Sequence, residues 1–403
     1  MNNEASITKR AASPTTGILF MSILGALMAF TSLSTDIYLP AMPTMATELQ
    51  GDAELTVTGF LIGFAIAQLI WGPISDHVGR RIPLFIGMVL FALGSIGCAM
   101  SQSIEQIVFW RVFQALGACT GPMLARAMIR DLYTRSRAAH MLSTLVIIMA
   151  VAPIIGPLLG GQMIKLSTWH SIFWLLAAIG TFMFFSIFYL PETLSPENRT
   201  KASLGSAFTN YFELFKNLPF IRYTLSLTFY YVAAYAFITG SPFVYIDYYG
   251  VDPQHYGWLF AVNIVGVMGL SFVNRQLVHR FRLDALLKVT TLIATLSIAI
   301  MMISVKAELG GIWVIIIPVF IFFSMNGIIA ASSTAAALDE VQRNAGSASA
   351  VIGSLQYGSG IISTLLLATF KDGTPWTMTW IIGLFTALSA LILWTKRPTN
   401  KTA

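Results

Sequence analysis

Asp36 stands in the stretch TSLSTDIYLPAMP, near one end of the apolar run from Gly17 to Tyr38. A carboxylate at membrane depth is costly and is a functional candidate for that reason; picking up a proton would remove its charge. Arg111 sits a few residues inside another apolar run. Two readings of it stand. Its side chain snorkels to the headgroups, or it faces a cavity where a fixed cation competes with protons for a nearby carboxylate. The five histidines, His77, His140, His170, His255 and His279, fall in loops or at the ends of apolar runs, so carboxylates must do any proton work. Cys98 and Cys119 lie inside apolar runs and suit neither a disulfide nor a metal site. H-x-x-x-H, G-x-S-x-G, C-x-x-C and the phosphate loop G-x-x-x-x-G-K-S/T do not occur, which argues against an enzyme, a metal or other cofactor, and an ATPase. An ion gradient is left as the source of energy.

The elements that must hold these residues are membrane spans. Of 403 residues 56% are hydrophobic and 10% charged, with a mean hydropathy of +0.73, far more apolar surface than a soluble core of this length needs. Windows of about 20 apolar residues can be laid twelve times: 17–40, 55–75, 82–101, 106–128, 140–164, 171–190, 223–246, 256–274, 285–305, 312–336, 345–370 and 377–395. No charged leader with a short apolar core and a small-residue cleavage site opens the sequence, so Gly17 onward is expected to remain as a mature span. The polar stretch Pro191 to Arg222 is the expected linker. It divides the chain into six-span halves, 1–190 and 223–403, with 191–222 between them. One set of connectors carries nearly all the lysine and arginine, while the other holds only Lys165, Lys306 and Lys371 and collects Glu48, Asp52 and Glu54. This asymmetry predicts that the basic connectors, the linker and both termini are cytoplasmic. The net charge of +6 then reports topology, and no nucleic-acid partner is needed. The expected partners are lipid, protons and a small-molecule substrate, with the protein a monomer.

Between spans two and three the chain reads Gly72-Pro73-Ile74-Ser75-Asp76-His77-Val78-Gly79-Arg80-Arg81. It resembles the loop signature of the major facilitator superfamily, G-x-L-x-D-x-x-G-R-K/R, and the resemblance implies a latch on the cytoplasmic side. Gly72 is expected to permit close helix approach and Gly79 a tight turn, and Asp76 to pair with an arginine or cap a helix. In span four, Arg111-Val112-Phe113-Gln114-Ala115-Leu116-Gly117-Ala118 is similar to the superfamily's R-x-x-Q-G-x-G motif, linked there to proton coupling, with Ala115 in place of the first glycine. Span five carries Ala152-Pro153-Ile154-Ile155-Gly156-Pro157-Leu158-Leu159-Gly160-Gly161, close to the antiporter motif G-x-x-x-G-P-x-x-G-G. Its prolines are expected to bend the helix and Gly156, Gly160 and Gly161 to admit a neighbour. With Asp36-Ile37-Tyr38-Leu39-Pro40 and Arg130-Asp131-Leu132-Tyr133, these segments resemble the Bcr/CflA branch of drug and proton antiporters over essentially the whole chain. Some multidrug relatives have a second acid one helical face upstream of the Asp36 position. Met28 stands there, so only one acid carries over.

The resemblance implies an all-α integral membrane protein of the bacterial inner membrane, with twelve transmembrane helices in two six-helix halves, exporting small organic compounds such as antibiotics in exchange for protons. Export of a natural metabolite (a purine nucleoside, an amino acid or a siderophore) and an uncoupled carrier of the same fold are the alternatives. Asp36 and Arg111 are the expected coupling pair. Asp36, Tyr38, Gln114, Met149, Tyr235, Phe237, Asn263, Asn326 and Gln356 are candidates for the substrate pocket, being polar, aromatic or adaptable groups within apolar spans. Arg126, Arg130 and Asp131 at the inner end of span four read either as a surface charge cluster or as a gate ion pair.

Overall fold

The computed structural model describes residues 17–200, 204–341 and 345–395. Among them all regular structure is helical, and twelve helices are long and apolar enough to cross a membrane. They are α1 (Ile18–Leu49), α2 (Glu54–Val78), α3 (Arg81–Ala99), α4 (Ile104–Leu132), α5 (His140–Leu166), α6 (His170–Tyr189), α7 (Leu218–Tyr248), α8 (Pro253–Arg280), α9 (Leu283–Lys306), α10 (Trp313–Asp339), α11 (Ala345–Thr369) and α12 (Pro375–Trp394). Helices suit this chain because hydrocarbon offers the backbone no partners and a helix satisfies its own. Large apolar side chains such as Phe182, Ile300, Ile303 and Leu391 are exposed around the bundle, where a bilayer would cover them.

Local chemistry sets several helix ends. Ser103 accepts from Gln106 N at 3.3 Å, Asn217 from Phe220 N at 3.2 Å and Thr374 from Trp376 N at 3.2 Å, with Pro219 and Pro375 in the first turns of α7 and α12. Gly79, at φ +100°, ends α2 and turns the chain straight into α3. The seventh span starts earlier than its hydropathy indicates. Arg222 was expected in the linker, yet it lies inside α7, buried, with Nη1 2.8 Å from Asp284 on α9 and further bonds to the carbonyls of Ile392 and Leu393. A charge ends a hydropathy window, but a partnered charge does not end a helix. The linker also contains a helix, Leu204–Leu214, whose Tyr211 hydroxyl donates to Leu69 O of α2 at 3.0 Å.

Two helices depart from regular geometry. The first helical segment of α1 ends at Asp36, and the chain passes through a tight turn at Leu39–Ala41, holding Pro40, before resuming at Met42. The last turn of α7, Phe243–Tyr248, widens to π-type geometry directly after Pro242. In contrast, the helix of α5 runs without interruption through Pro153 and Pro157.

Helices α1 to α6 pack on one another, as do α7 to α12, and α2 against α11 and α5 against α8 join the two halves. One end of the bundle, the basic face, carries Arg80, Arg81, Arg130, Lys216, Arg280 and Arg282; the other, the acidic face, carries Glu48, Asp52, Glu54, Asp247 and Asp372. Contacts between halves are tight towards the acidic face. There Lys371 lies 3.2 Å from Glu54, the hydroxyls of Thr58 and Thr364 are 2.6 Å apart, and a methyl group at Gly161 would meet Pro253 O at 2.5 Å. Nearer the basic face, Ser354 Oγ donates to Ala65 O at 2.9 Å and Gly353 meets Gln68.

Candidate functional site

Asp36 is 6% exposed. Its Oδ1 accepts from Thr35 Oγ1 at 2.9 Å, and among the described residues no cation lies within ion-pairing distance of it. The carboxylate sits at the helix break in α1, next to a turn that touches helices of both halves.

The span-five glycines put it there. A Cβ at Gly156 would lie 3.4 Å from Asp36 Cβ and 3.3 Å from Ile37 N, and one at Gly160 would collide with Ile37 O. At position 160 only glycine lets α5 press against the broken backbone of α1, a Cβ at Gly156 would make a close but nearly ordinary contact, and Gly161 admits the start of α8 from the other half. The motif seats the acid, a role that the linear sequence does not disclose.

Arg111 does not reach the headgroups. It is fully buried, donating from Nη1 to Ser34 O at 2.9 Å and to Gln114 Oε1 at 2.5 Å, and from Nε to Thr56 O at 3.4 Å. Its guanidinium carbon lies 4.4 Å from the ring centroids of both Tyr38 and Phe60. A buried cation without a touching carboxylate must be held by carbonyls and ring faces, each desolvated cation–π contact giving about 2 kcal/mol. Nη2 has no hydrogen-bond partner. Gln114 passes the network on through Nε2 to Ser95 Oγ at 2.7 Å, and the Tyr38 hydroxyl pairs with Thr56 Oγ1 at 3.2 Å. Tyr38 and Gln114, expected at the substrate, are instead wholly buried within the first half, where they support Arg111.

From Phe60 a chain of rings crosses to the second half. Phe60 stacks on Phe64 at 5.9 Å, Phe64 meets Tyr357 of α11 at 4.1 Å, and Tyr357, Tyr235 and Tyr231 follow at 6.5 and 6.2 Å. Tyr231 lies near both Asn326 and Gln356, and Asn326 Oδ1 has no hydrogen-bond partner among the described residues. The predicted residues Tyr235, Asn326 and Gln356 thus meet at the interface, joined by Tyr231, Tyr357 and Phe64, which sequence reasoning missed because aromatic residues are common in every span. Phe237 does not join them. It is buried among Tyr245, Phe260 and Phe323 in the second half, and Asn263 bonds Leu259 O of its own helix at 3.1 Å. Met149 is half-buried in α5, against the apolar core.

At the basic face, Arg80 organises the signature loop. It pairs with Asp76 at 2.6 Å, donates to Ser75 Oγ at 2.8 Å, and grips Asp131 of α4 through Nε at 2.8 Å and Nη2 at 3.3 Å. Burial opposes its charge, but the bonds to Asp131 and Asp76 outweigh that and raise its pKa above the ordinary arginine value. Asp131 therefore pairs with Arg80, and of the two readings of Arg126, Arg130 and Asp131, a charge cluster or a gate pair, no ion pair among the three forms in the described residues. Arg126 and Arg130 are exposed, and Arg130 Nε bonds only the Arg126 carbonyl among the described contacts, at 3.4 Å.

Of the two roles expected of Asp76 it takes the pairing one, with Arg80, and the cap on α3 is Glu192, just after α6. Its carboxylate accepts from Arg80 N at 2.9 Å and Arg81 N at 3.1 Å, at the positive end of α3. Thr193 Oγ1 adds a bond to Asp131 at 3.0 Å, and Thr200 N donates to Asp76 O at 2.9 Å. A side chain at Gly79 would strike Glu192 Oε2 at 2.5 Å, so this glycine is required for approach as well as for its turn. Gly72 is not a close-approach site, since a Cβ there meets nothing within 4 Å. Arg81 extends over the Phe85 ring at 5.6 Å.

The model of the Major Facilitator Superfamily matches residues 24–364. The chain belongs to this superfamily. A superfamily relative, the uncharacterized MFS-type transporter YdgK of Bacillus subtilis, is 35% identical over 86% of this chain and 87% of its own length. The bicyclomycin resistance protein homolog of Haemophilus influenzae is 29% identical over 93% and 94%, and multidrug resistance protein D of Escherichia coli 28% identical over 94% and 96%. Among solved structures, a point mutant of the nucleoside transporter NupG superposes with a TM-score of 0.75 at 13% identity, covering 93% of this chain and 98% of its own. The D-xylose-proton symporter superposes at 0.71 and 15% identity, covering 94% and 97%. At such identities these structures establish the fold alone. As a major facilitator superfamily member with bacterial relatives and twelve apolar helices, the protein is a multi-pass transporter of the bacterial inner membrane and not an enzyme.

Proposed function

We propose that this transporter exports small organic compounds, antibiotics among them, in exchange for protons by alternating access. The observation that carries the reading is Asp36, a buried carboxylate without an ion-pairing cation among the described residues, held where α1 breaks and α5 presses on it. The names of the bicyclomycin-resistance and multidrug-resistance relatives support the drug class.

The concentration of lysine and arginine at one face supports placing that face on the cytoplasmic side. The tight acidic-face contacts then describe a state closed to the outside. In this cycle Asp36 takes a proton when the molecule is open to the outside and gives it up inside as substrate binds, with Arg111 a fixed positive field nearby. Protonation neutralises the acid, so the halves can close over it. Tyr231, Tyr235, Tyr357, Asn326 and Gln356 form the substrate wall, mostly ring faces with a few hydrogen-bonding groups, as a pocket for apolar organic molecules requires.

The test uses purified protein in liposomes with an imposed pH gradient, following proton movement as candidate antibiotics and nucleosides are added singly. Substrate-triggered flux that Asp36→Asn abolishes is the expected result. Undiminished uphill transport by that variant would remove Asp36 from coupling, and flux with nucleosides alone would make this a metabolite exporter.

A further inference from the structure

The acidic face holds a cavity of about 270 Å³ that the cycle above does not use. Its walls come from both halves: Glu54 at the start of α2, Phe243, Asp247 and Tyr248 from the π-type turn of α7, and Lys371 and Asp372 from the α11–α12 connector. Glu54 is 3% exposed. Its Oε1 lies 3.2 Å from Lys371 Nζ, which is also 4.0 Å from Asp52, while Oε2 is buried with no hydrogen-bond partner among the described residues. A buried carboxylate oxygen without a protein donor is costly, and Glu54 lines the cavity, so a ligand that brings a donor to this carboxylate would relieve that cost. Lys371 Nζ also lies 4.6 Å from the centroid of the Phe243 ring. Carboxylate and ring face together enclose an ammonium group, and Asp247 adds a second acid to the wall. The π-type turn that places Phe243 and Asp247 is a rare geometry often found at functional sites.

We propose that this cavity is a second binding site, selective for the ammonium group of a small organic cation, with Lys371 Nζ standing where the ligand's nitrogen would sit. Glu54 belongs to the first half, and Lys371 and Phe243 to the second. Parting of the halves at this face draws Lys371 away from Glu54. A ligand ammonium then takes the freed carboxylate, supplies the N–H that Oε2 lacks, and rests against Phe243 with Asp247 beside it. The site is separate from Asp36, and its occupancy does not depend on proton coupling.

The probe is radiolabelled 2-phenylethylammonium, measured by equilibrium dialysis against full-length protein in lipid nanodiscs, with Asp36→Asn as background to remove the central acid. Lys371→Gln, which deletes the tethered ammonium, is expected to tighten binding about tenfold, the scale of one charge-assisted hydrogen bond. Adding Glu54→Gln should abolish the gain, and adding Glu54→Asp should keep most of it, which separates loss of the carboxylate from loss of the fold. No gain on removing Lys371, or a gain that survives Glu54→Gln, overturns the proposal. Binding that Asp36→Asn alone eliminates places the ligand at the central acid and overturns it equally. No pH gradient enters the measurement, so failure of the antiport reading leaves these outcomes distinct.

Discussion

Arg111 holds a full charge in the interior of the first half, and its surroundings explain how that is tolerated. Two ring faces, two backbone carbonyls and the Gln114 amide replace the water that a guanidinium would otherwise keep. Lysine cannot reproduce this arrangement, because a compact ammonium lacks the flat fork that bonds and stacks at once. Arg111→Lys is expected to lose about 1–3 kcal/mol of stability through unmet bonds, read as an earlier thermal unfolding midpoint of the purified protein in detergent. An unchanged midpoint would mean that the network contributes nothing to the fold. Loss of proton-coupled flux in Arg111→Lys at a temperature where the variant stays folded would support its part in coupling. Asp36 has the opposite design, with few bonds holding its charge, which suits a group that must change protonation during work.

At the scale of the helices, two glycine motifs that look alike in sequence differ in what they do. Gly160 lies against Ile37 O with no room for a methyl group, whereas Gly72 faces open space in this conformation. Gly160→Ala should therefore push α5 off α1 and displace Asp36, giving normal membrane insertion with transport lowered at least about tenfold, as a misplacement on the order of 1 Å can do. Gly72→Ala should transport at close to the wild-type rate. A reversed order for the pair would contradict the packing described for α1 and α5. Glu192 ties the end of α6 to the signature loop through its cap on α3. Glu192→Gln keeps the shape but removes the charge that favours a helix N-terminus. It is expected to loosen the loop, seen as faster hydrogen exchange over 76–82, and equal exchange in both proteins would dismiss the latch role of this acid.

For the whole molecule, closure at the acidic face makes a direct prediction. The hydroxyls of Thr58 and Thr364 touch at 2.6 Å across the halves, so cysteines at both positions should reach disulfide geometry in this state. Oxidation of the Thr58→Cys/Thr364→Cys protein should stop transport, and reduction should restore it. The native Cys98 and Cys119 are buried and will not interfere. Full activity of the cross-linked protein would mean that the halves need not separate here at all.

Twelve spans, two halves and the place of each motif were legible in the sequence, because long apolar windows and glycine-rich signatures act locally and the bilayer leaves helices as the available backbone solution. Asp36 and Arg111 were visible as well, since a charge inside an apolar run stands out without any partner being known. What those charges touch was not legible. Arg111 could be read as snorkelling or as facing a cavity, and burial beneath Tyr38 and Phe60 decided against the headgroups; Asp131 chose Arg80 over its sequence neighbours; Arg222 entered α7 because Asp284, 62 positions away, could pair with it. Tyr38, Gln114 and Phe237 turned inward within their own halves, while the ring chain through Phe64 and Tyr357 assembled across them. The sequence by itself determined which segments enter the membrane and which groups are too costly to be there by accident. Only the tertiary structure decided the partners, because a buried charge or hydroxyl is settled by whatever donor, carbonyl or ring the packing brings within about 3 to 5 Å, and those neighbours are distant in the chain.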